Sequence, residues 1–518
     1  MKEATLSMAR YLLGVDVGTQ GTKGVLVGTD GSLVETASAE YGLLHPQPVW
    51  AEQWPDVWFD ATCAVIRKLL EHPEISPQEI AGVCISGLYG GSGIPLDEKM
   101  QPVRPCLIWM DRRATAEVEW ITRNVDLERL FAVTGNWVDS YFGYPKILWI
   151  KRNEPDNWKR IALFLPPNSY INYRLTGEIA IDHSSAGNLG GLYDIRAHAW
   201  SEEMARALGI PLELMPERIV PSEAVIGEVT AEGSRLTGLA PGTPVLGGGV
   251  DAPMATFAAG ALDRGDNVAM MGTSTCWGII HTGENFAKEL VSMPHVIDAA
   301  HRTYTWGGSA TSGALASWFR DAVRGGADSF RDLDRAAADV PPGSQGLIAL
   351  PYFMGERAPL WDPQARGAFV GLTLSHTAGH LFRALLEATA YSLRHAIETG
   401  TEIGLPLSPG TTVVGGVAKS ELWLSILADV IGRPVRTLAT EGIGAPLGDA
   451  FLVGLAVGEF TDYGQIRKWI RYNDPFLPDP ARQAVYDRYY RLYRNLYRDL
   501  RDDFHALSEL SADQTNTR

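Results

Sequence analysis

Twice along this chain a short apolar run breaks on a turn rich in glycine and threonine, then resumes as a second apolar run. The first is Tyr-Leu-Leu-Gly-Val-Asp-Val (residues 11–17), which meets Gly18-Thr19-Gln20-Gly21 before residues 23–27 turn apolar again. The second is residues 268–271, which meet Gly272-Thr273-Ser274-Thr275 before residues 276–281. Glycine accepts the backbone angles a tight reversal needs, so each unit reads as a β-hairpin. After the first, a Thr29-Asp30-Gly31 turn points to a third strand at residues 32–38. Helical spacing follows at 54–70, with Pro55 suited to a first turn, and then a buried strand at 80–86. This order starts antiparallel, which excludes the strict βαβ alternation of a dinucleotide-binding fold. Past the second unit come a strand at 411–414, Gly415-Gly416, a helix at 421–432 and a strand at 435–437. Similar opening units in the two halves point to a duplicated α/β architecture around a central cleft.

Length supports two domains. A single core stops growing near ~250–300 residues, and the chain has 518. The glycine-rich stretch at 242–249 is the expected boundary: residues 10–246 form the first domain and 247–507 the second. Residues 479–507 are charged, rich in Tyr and Arg, and patterned as one long amphipathic helix on the second domain. Residues 508–518 lack a pattern and are expected to be a disordered tail. The net charge of −16 argues against binding nucleic acid or an anionic membrane, which requires clustered Lys and Arg. Four cysteines without a CxxC pair make neither a disulfide framework nor a zinc site. No run reaches the ~18–20 apolar residues of a membrane span, and MKEATLSMAR does not read as a signal peptide, so the expected compartment is the cytoplasm. Met8, just ahead of the first strand, is a second candidate for the first residue.

Four motifs carry chemistry. In Asp16-x-Gly18-Thr19-x-Gly21-x-Lys23 a glycine turn lets backbone N–H groups approach phosphate oxygens, and the strand-end carboxylate of Asp16 can hold Mg²⁺ through water. Gly272-Thr273-Ser274 repeats that logic. Gly415-Gly416-Val417-Ala418-Lys419-Ser420 opens a helix and permits close approach of a nucleotide to N–H groups, without Walker A spacing. Each of the three has an ordinary turn as its competing reading. In Gly247-Gly248-Gly249-Val250-Asp251 a carboxylate follows a glycine run, placed to act as general base for an attacking hydroxyl or to cap the next helix.

Taken in this order, the motifs resemble the FGGY carbohydrate kinase family, of the actin-like, ribonuclease-H-like ATPase superfamily. Further similar stretches are Trp50-Ala51-Glu52-Gln53, PCLIWMDRR at 105–113, Leu175-Thr176-Gly177-Glu178 with Asp182, PYFMGERAP at 351–359 and GGVAKSELWLSILADVIGRPV at 415–435. The resemblance implies two ribonuclease-H-like domains around the cleft, the first mainly for sugar and the second mainly for ATP. It implies Asp251 as catalytic base and Asp16 as support for Mg²⁺ and phosphate. It puts Gly18, Thr19, Lys23, Gly272 and Thr273 in phosphate turns, Gly313 near the nucleotide, and Gly416 and Ser420 at the adenosine. Tyr89, Trp109 and Asp111 are the candidate sugar contacts. ATP, Mg²⁺ and a small sugar are the implied partners, with a homodimer as a common assembly.

The sugar-side residues depart from the family's patterns. Xylulokinase-like members carry Gln-Met-His where this chain has Leu88-Tyr89-Gly90, and glycerol kinases carry Arg-Glu at Tyr89-Gly90. Met110 stands for a common Asn and Asn168 for a frequent Asp. The expected activity is transfer of the γ-phosphate of ATP to a sugar hydroxyl, with a pentulose as the first candidate. Kinases for erythritol, ribulose or a signalling sugar, and a non-kinase actin-like ATPase, are the alternatives.

Overall fold

The computed structural model describes residues 10–283, 285–439 and 443–516; Met8 lies outside them. In chain order the elements that matter here begin with strands β1 (Tyr11–Val17), β2 (Gly21–Gly28) and β3 (Leu33–Glu40), helix α1 (Pro55–Leu70) and strand β4 (Ile80–Gly87). Strands β5 (Val225–Glu228), β6 (Pro244–Leu246) and β7 (Gly249–Val250) lead into helix α2 (Asp251–Ala258). Next are β8 (Asn267–Met271), β9 (Thr275–His281), α3 (Gly313–Trp318), α4 (Ala378–Glu402), β10 (Thr411–Val414), α5 (Glu421–Ile431), β11 (Val435–Thr437), α6 (Ala445–Ala456) and α7 (Pro480–Asn516). The chain divides into two compact units. Among the described residues, one holds 10–262, 282–304 without residue 284, and 443–470, and the other holds 263–281, 305–439 and 471–516.

The first unit is built on a mixed sheet in the order β5-β6-β4-β1-β2-β3, with β7 also on β4. β1 pairs antiparallel with β2 and parallel with β4. Side chains alternate across a strand, so β1 serves two cores. Leu13, Val15 and Val17 pack with Trp58, Phe59, Ile66 and Leu69 of α1. Leu12 packs on the other face with Met254 and Phe257 of α2 and Phe451 and Leu452 of α6. Gly14 lies on this second face. A Cβ there would overlap the Pro446 carbonyl and come within 2.7 Å of the Ala450 nitrogen, so the missing side chain is what lets α6 lie on β1. Gly248, at φ +71°, occupies the left-handed region, and a Cβ on it would overlap the Ile85 carbonyl. That constraint explains the middle glycine of the run ahead of Asp251, while a Cβ on Gly247 would lie 2.9 Å from the Pro221 oxygen and one on Gly249 2.6 Å from Val296 Cγ1.

The second unit repeats the hairpin. β8 and β9 pair antiparallel, β10 joins β8 in parallel, and β11 joins β10. Its core gathers Met271 and Trp277 with Leu385 and Leu393 of α4, Leu424 and Leu427 of α5, and Tyr486, Tyr493 and Phe504 of α7. Arg383 on α4 is buried with Glu387 one turn on, at 2.9 Å, and donates to the Tyr486 hydroxyl at 2.8 Å. α7 continues through Asn516, past Leu507 where the apolar spacing fades.

Candidate active site

Strand register assembles the first cluster. Asp16 on β1 lies opposite Lys23 on β2 and Ser86 on β4, and Ser86 lies opposite Gly249 on β7. Asp251 follows two residues later as the first residue of α2. Val250, in extended backbone, precedes it as the cap, so Asp251 is a helical residue whose Oδ1 accepts the Ala252 N–H at 2.7 Å. Burial raises the Asp16 carboxyl above the usual carboxylate range, against the Ser86 hydrogen bond and the Lys23 charge, which both lower it. Burial raises Asp251 further, and the Asp16 charge adds to that rise. Two carboxylates thus stand close enough to repel, Asp16 on β1 and Asp251 just past β7, two strands that both pair with β4.

The chain ahead of Asp251 is held from the side. Asp182 caps the helix His183–Leu189, accepting the Ser185 N–H at 2.9 Å. It also accepts the Ser184 hydroxyl, whose oxygen takes the Val250 N–H at 3.0 Å. Asn168 donates its amide to the second Asp182 oxygen at 3.1 Å. An aspartate at 168 would set a second charge against Asp182, which gives the amide a physical reason.

The hairpin turn after Asp16 is closed by Gly18 N–H to the Gly21 carbonyl at 2.9 Å. Thr19 is tied to the sugar-side candidates, because the Trp109 indole N–H donates to its hydroxyl at 3.0 Å. Tyr89 is buried. Gly90 sits at φ +84°, and a Cβ on it would lie 2.8 Å from the Tyr141 ring and 3.1 Å from Trp109 Cβ. The Tyr141 phenol therefore fills the space a side chain at 90 would take, with its hydroxyl donating to Asn188 at 3.3 Å. Lys146 is buried, donates to the Gly90 carbonyl at 2.7 Å and also bonds the Tyr141 carbonyl. Burial pulls its ammonium down to about 7. Asp111 is fully enclosed. It accepts the Ala51 N–H at 2.7 Å and the Arg113 guanidinium at 2.7–3.0 Å, while that guanidinium lies 3.5 Å from the Trp50 ring centre.

In the second unit, three motifs far apart in sequence meet at one turn. Gly272 and Thr273 are exposed at the β8–β9 reversal. Gly313 N–H donates to the Gly272 carbonyl and Ser312 N–H to the Thr273 carbonyl, both at 2.8 Å. A Cβ on Gly313 would stand 2.6 Å from that Gly272 oxygen, and one on Gly415 would stand 2.6 Å from the Met271 oxygen. A Cβ on Gly416 would meet nothing within 4 Å, so its backbone faces open space. Ser420 caps α5, accepting the Trp423 N–H at 3.1 Å.

Among the described residues no group of three or more His, Cys, Asp and Glu is arranged to hold a metal. The Asp16 and Asp251 oxygens fit Mg²⁺ in another way. Magnesium prefers oxygen donors, keeps several waters and binds through one or two carboxylates plus substrate phosphates, and two mutually repelling carboxylates are relieved by such a cation. The residues that spacing does not disclose are Ser86 and Asp449. Ser86 Oγ lies 3.2 Å from Asp16 Oδ1 and 2.6 Å from Asp449 Oδ2 on α6. The one signal for Asp449 is an acid inside an apolar helical run, Ala445-Pro-Leu-Gly-Asp-Ala-Phe-Leu-Val.

Comparison with known proteins covers nearly the whole chain. The N-terminal domain model of the FGGY family of carbohydrate kinases matches residues 11–258, and the C-terminal domain model matches residues 267–457. The xylulose kinase of Lactococcus lactis is 31% identical over 508 residues, covering 97% of this chain and 99% of that protein. The crystal structure of xylulose kinase from Rhodospirillum rubrum superposes with a TM-score of 0.87 at 33% identity, covering 96% of this chain and 100% of that one. Gluconate kinase from Lactobacillus acidophilus superposes with a TM-score of 0.88 at 26% identity, covering 95% and 98%.

Proposed function

Since this chain belongs to the FGGY family of carbohydrate kinases, we propose that it phosphorylates a pentulose, D-xylulose first, at the expense of ATP, with Asp251 as general base. The observation that carries this reading is the row Lys23–Asp16–Ser86–Gly249, which ends two residues before Asp251 and sets a desolvated carboxylate beside Asp16.

In this reading Asp251 takes the proton of the attacking hydroxyl, the hydroxyl oxygen forms a bond to the γ-phosphorus, and the bond to the ADP oxygen breaks. Phosphoryl transfer needs chiefly positioning and charge neutralisation, so the protein's share is to orient groups. Asp16 would hold Mg²⁺, which would supply charge neutralisation on the phosphate oxygens. Gly18, Thr19 and Lys23 serve the first phosphate turn. Gly272, Thr273 and Gly313 serve the second, and Gly416 and Ser420 take the adenosine. Tyr89 and Trp109 line the sugar side, with Tyr141 occupying the room that a histidine takes in xylulokinase-like relatives. Asp111 acts behind that wall, because its oxygens are already committed to Ala51 and Arg113.

The test is a sugar panel read by ADP formation: D-xylulose, D-ribulose, erythritol, gluconate and glycerol at matched MgATP. The expected result is the highest kcat/KM for D-xylulose. A polar site discriminates hydroxyl patterns strongly, by ~10²-fold or more when a buried group is left unpaired. A higher value for gluconate or erythritol would move the substrate and leave the kinase assignment standing. This outcome has a specific basis in Gly90, where the side chain of the pentulose kinases is missing.

A further inference from the structure

Asp449 has no part in the reaction as described so far, yet it is a carboxyl with no exposed surface. It projects from α6 onto the face of the sheet that carries Asp16. Its Oδ2 lies 2.6 Å from Ser86 Oγ, its Oδ1 accepts from the Cys84 thiol at 3.3 Å, and Ser86 Oγ lies 3.2 Å from Asp16 Oδ1. Cys84 is buried and unpaired. The surroundings on this side are apolar, with Met254, Phe257, Phe451 and Leu452. Burial and the Asp16 charge both act against ionisation of Asp449, and the Ser86 and Cys84 hydrogen bonds act the other way without offsetting them.

A count of protons, with the place of Lys23, fixes the direction of this chain of contacts. A serine hydroxyl has one proton, and here two carboxyl oxygens flank it. If both were ionised, one contact would be a bare oxygen–oxygen repulsion inside an apolar layer. Both become hydrogen bonds when one of the two carboxyls is the neutral acid, and Lys23, opposite Asp16 on β2, favours the charge on Asp16; Asp449 then donates to Ser86 Oγ, and Ser86 donates to Asp16 Oδ1. The Cys84 thiol then donates to the carbonyl oxygen of the acid. Burial, which raises the Asp449 carboxyl well above the ordinary range, acts in the same direction.

We propose that Asp449 is a positioning residue of the phosphotransfer site, a neutral acid whose proton turns the Ser86 hydroxyl onto Asp16 and so holds the Asp16 carboxylate in its working orientation. The proposal rests on the role given above to Asp16. No proton leaves the chain of groups during turnover, and Asp449 touches neither substrate nor phosphate. An amide is the one common substitute with the same shape, a neutral donor toward Ser86 and an acceptor toward Cys84. A leucine keeps the volume and removes the donor.

The experiment compares D449N and D449L in the full chain, with kcat, the KM for sugar and the KM for MgATP. D449N is expected to stay within about threefold of the parent kcat, whereas D449L, losing a hydrogen bond that serves a charged group, is expected to lose about ten- to a hundredfold in kcat. Neither should change the KM for sugar by more than about twofold. D449N falling as far as D449L would overturn the proposal, since it would mean that the ionised carboxylate is what the site needs. Full activity in D449L would overturn it as well. If D449L does not fold, infrared difference spectra decide. The parent at neutral pH should show the carbonyl band of a protonated carboxylic acid that D449N lacks, and identical spectra would refute the neutral acid. That band requires no turnover, so a parent enzyme inactive on every sugar would count against Asp16 and Asp251 and leave Asp449 to be judged by its spectrum.

Discussion

Asp251→Asn is expected to lower kcat by about 10²–10⁴-fold, the usual share of a positioned general base, while the affinity for MgATP changes little. The substitution keeps size and hydrogen bonding, including acceptance of the Ala252 N–H at 2.7 Å. It removes only the capacity to take a proton. The pH dependence of the parent follows from the same group. Asp251 works as a base only when ionised, so activity falls as pH is lowered through its titration. Burial and the neighbouring Asp16 charge place that titration above the usual aspartate value of ~3.9. The acid limb of kcat/KM for sugar should accordingly lie above the ordinary carboxylate range in the parent and vanish in what activity Asp251→Asn retains. Steady-state rates from pH 5 to 9, with nucleotide binding measured by calorimetry, check both halves. An acid limb unchanged in Asp251→Asn would assign it to another group.

Gly14→Ala should be among the most damaging single methyls in the first unit. The new Cβ would overlap the Pro446 carbonyl and crowd the Ala450 nitrogen, both backbone atoms of α6 that no rotamer change can clear. Overpacking typically costs ~1–3 kcal/mol and sometimes more, and a clash with backbone belongs at the upper end. A loss of about 3 kcal/mol corresponds to roughly 4–5 °C in the melting midpoint for a unit of about 300 residues, at ~2.1 cal/mol/K of unfolding entropy per residue. Activity should fall as well at temperatures where the protein stays folded, because β1 carries Asp16 and α6 carries Asp449. Gly42→Ala is the control. Gly42 is exposed with nothing within 4 Å of a built Cβ, so its effect should stay within about 0.5 kcal/mol. Equal midpoints for the two variants would mean that α6 does not bear on β1 as described.

What could be read from the sequence was local. The hairpins around Gly18 and Gly272 and the helix after Ser420 are specified by residues within a few positions of one another, and their strands and helices lie within two or three residues of expectation. The third strand lies slightly later than its turn signal, at Leu33–Glu40 rather than 32–38. The glycine run before Asp251 stood out, but not its cause, which is close packing against three different neighbours, the Pro221 and Ile85 carbonyls and the Val296 side chain. Long-range pairings left no local trace. Ser86 and Asp449 are 363 positions apart, and the packing of α6 on β1 and β4 brings them together. Trp109 read as a sugar-stacking candidate, yet its indole N–H is spent on Thr19. Asn168 read as a departure from a family pattern, and it became intelligible only once Asp182 was seen to face it.

The central claim is that a sugar hydroxyl, rather than water, receives the phosphoryl group. The direct measurement is ³¹P NMR of a reaction containing the protein, MgATP and D-xylulose. One phosphate ester should form for each ADP, with inorganic phosphate at background. ADP accompanied by inorganic phosphate alone, with every sugar tried, would contradict the account.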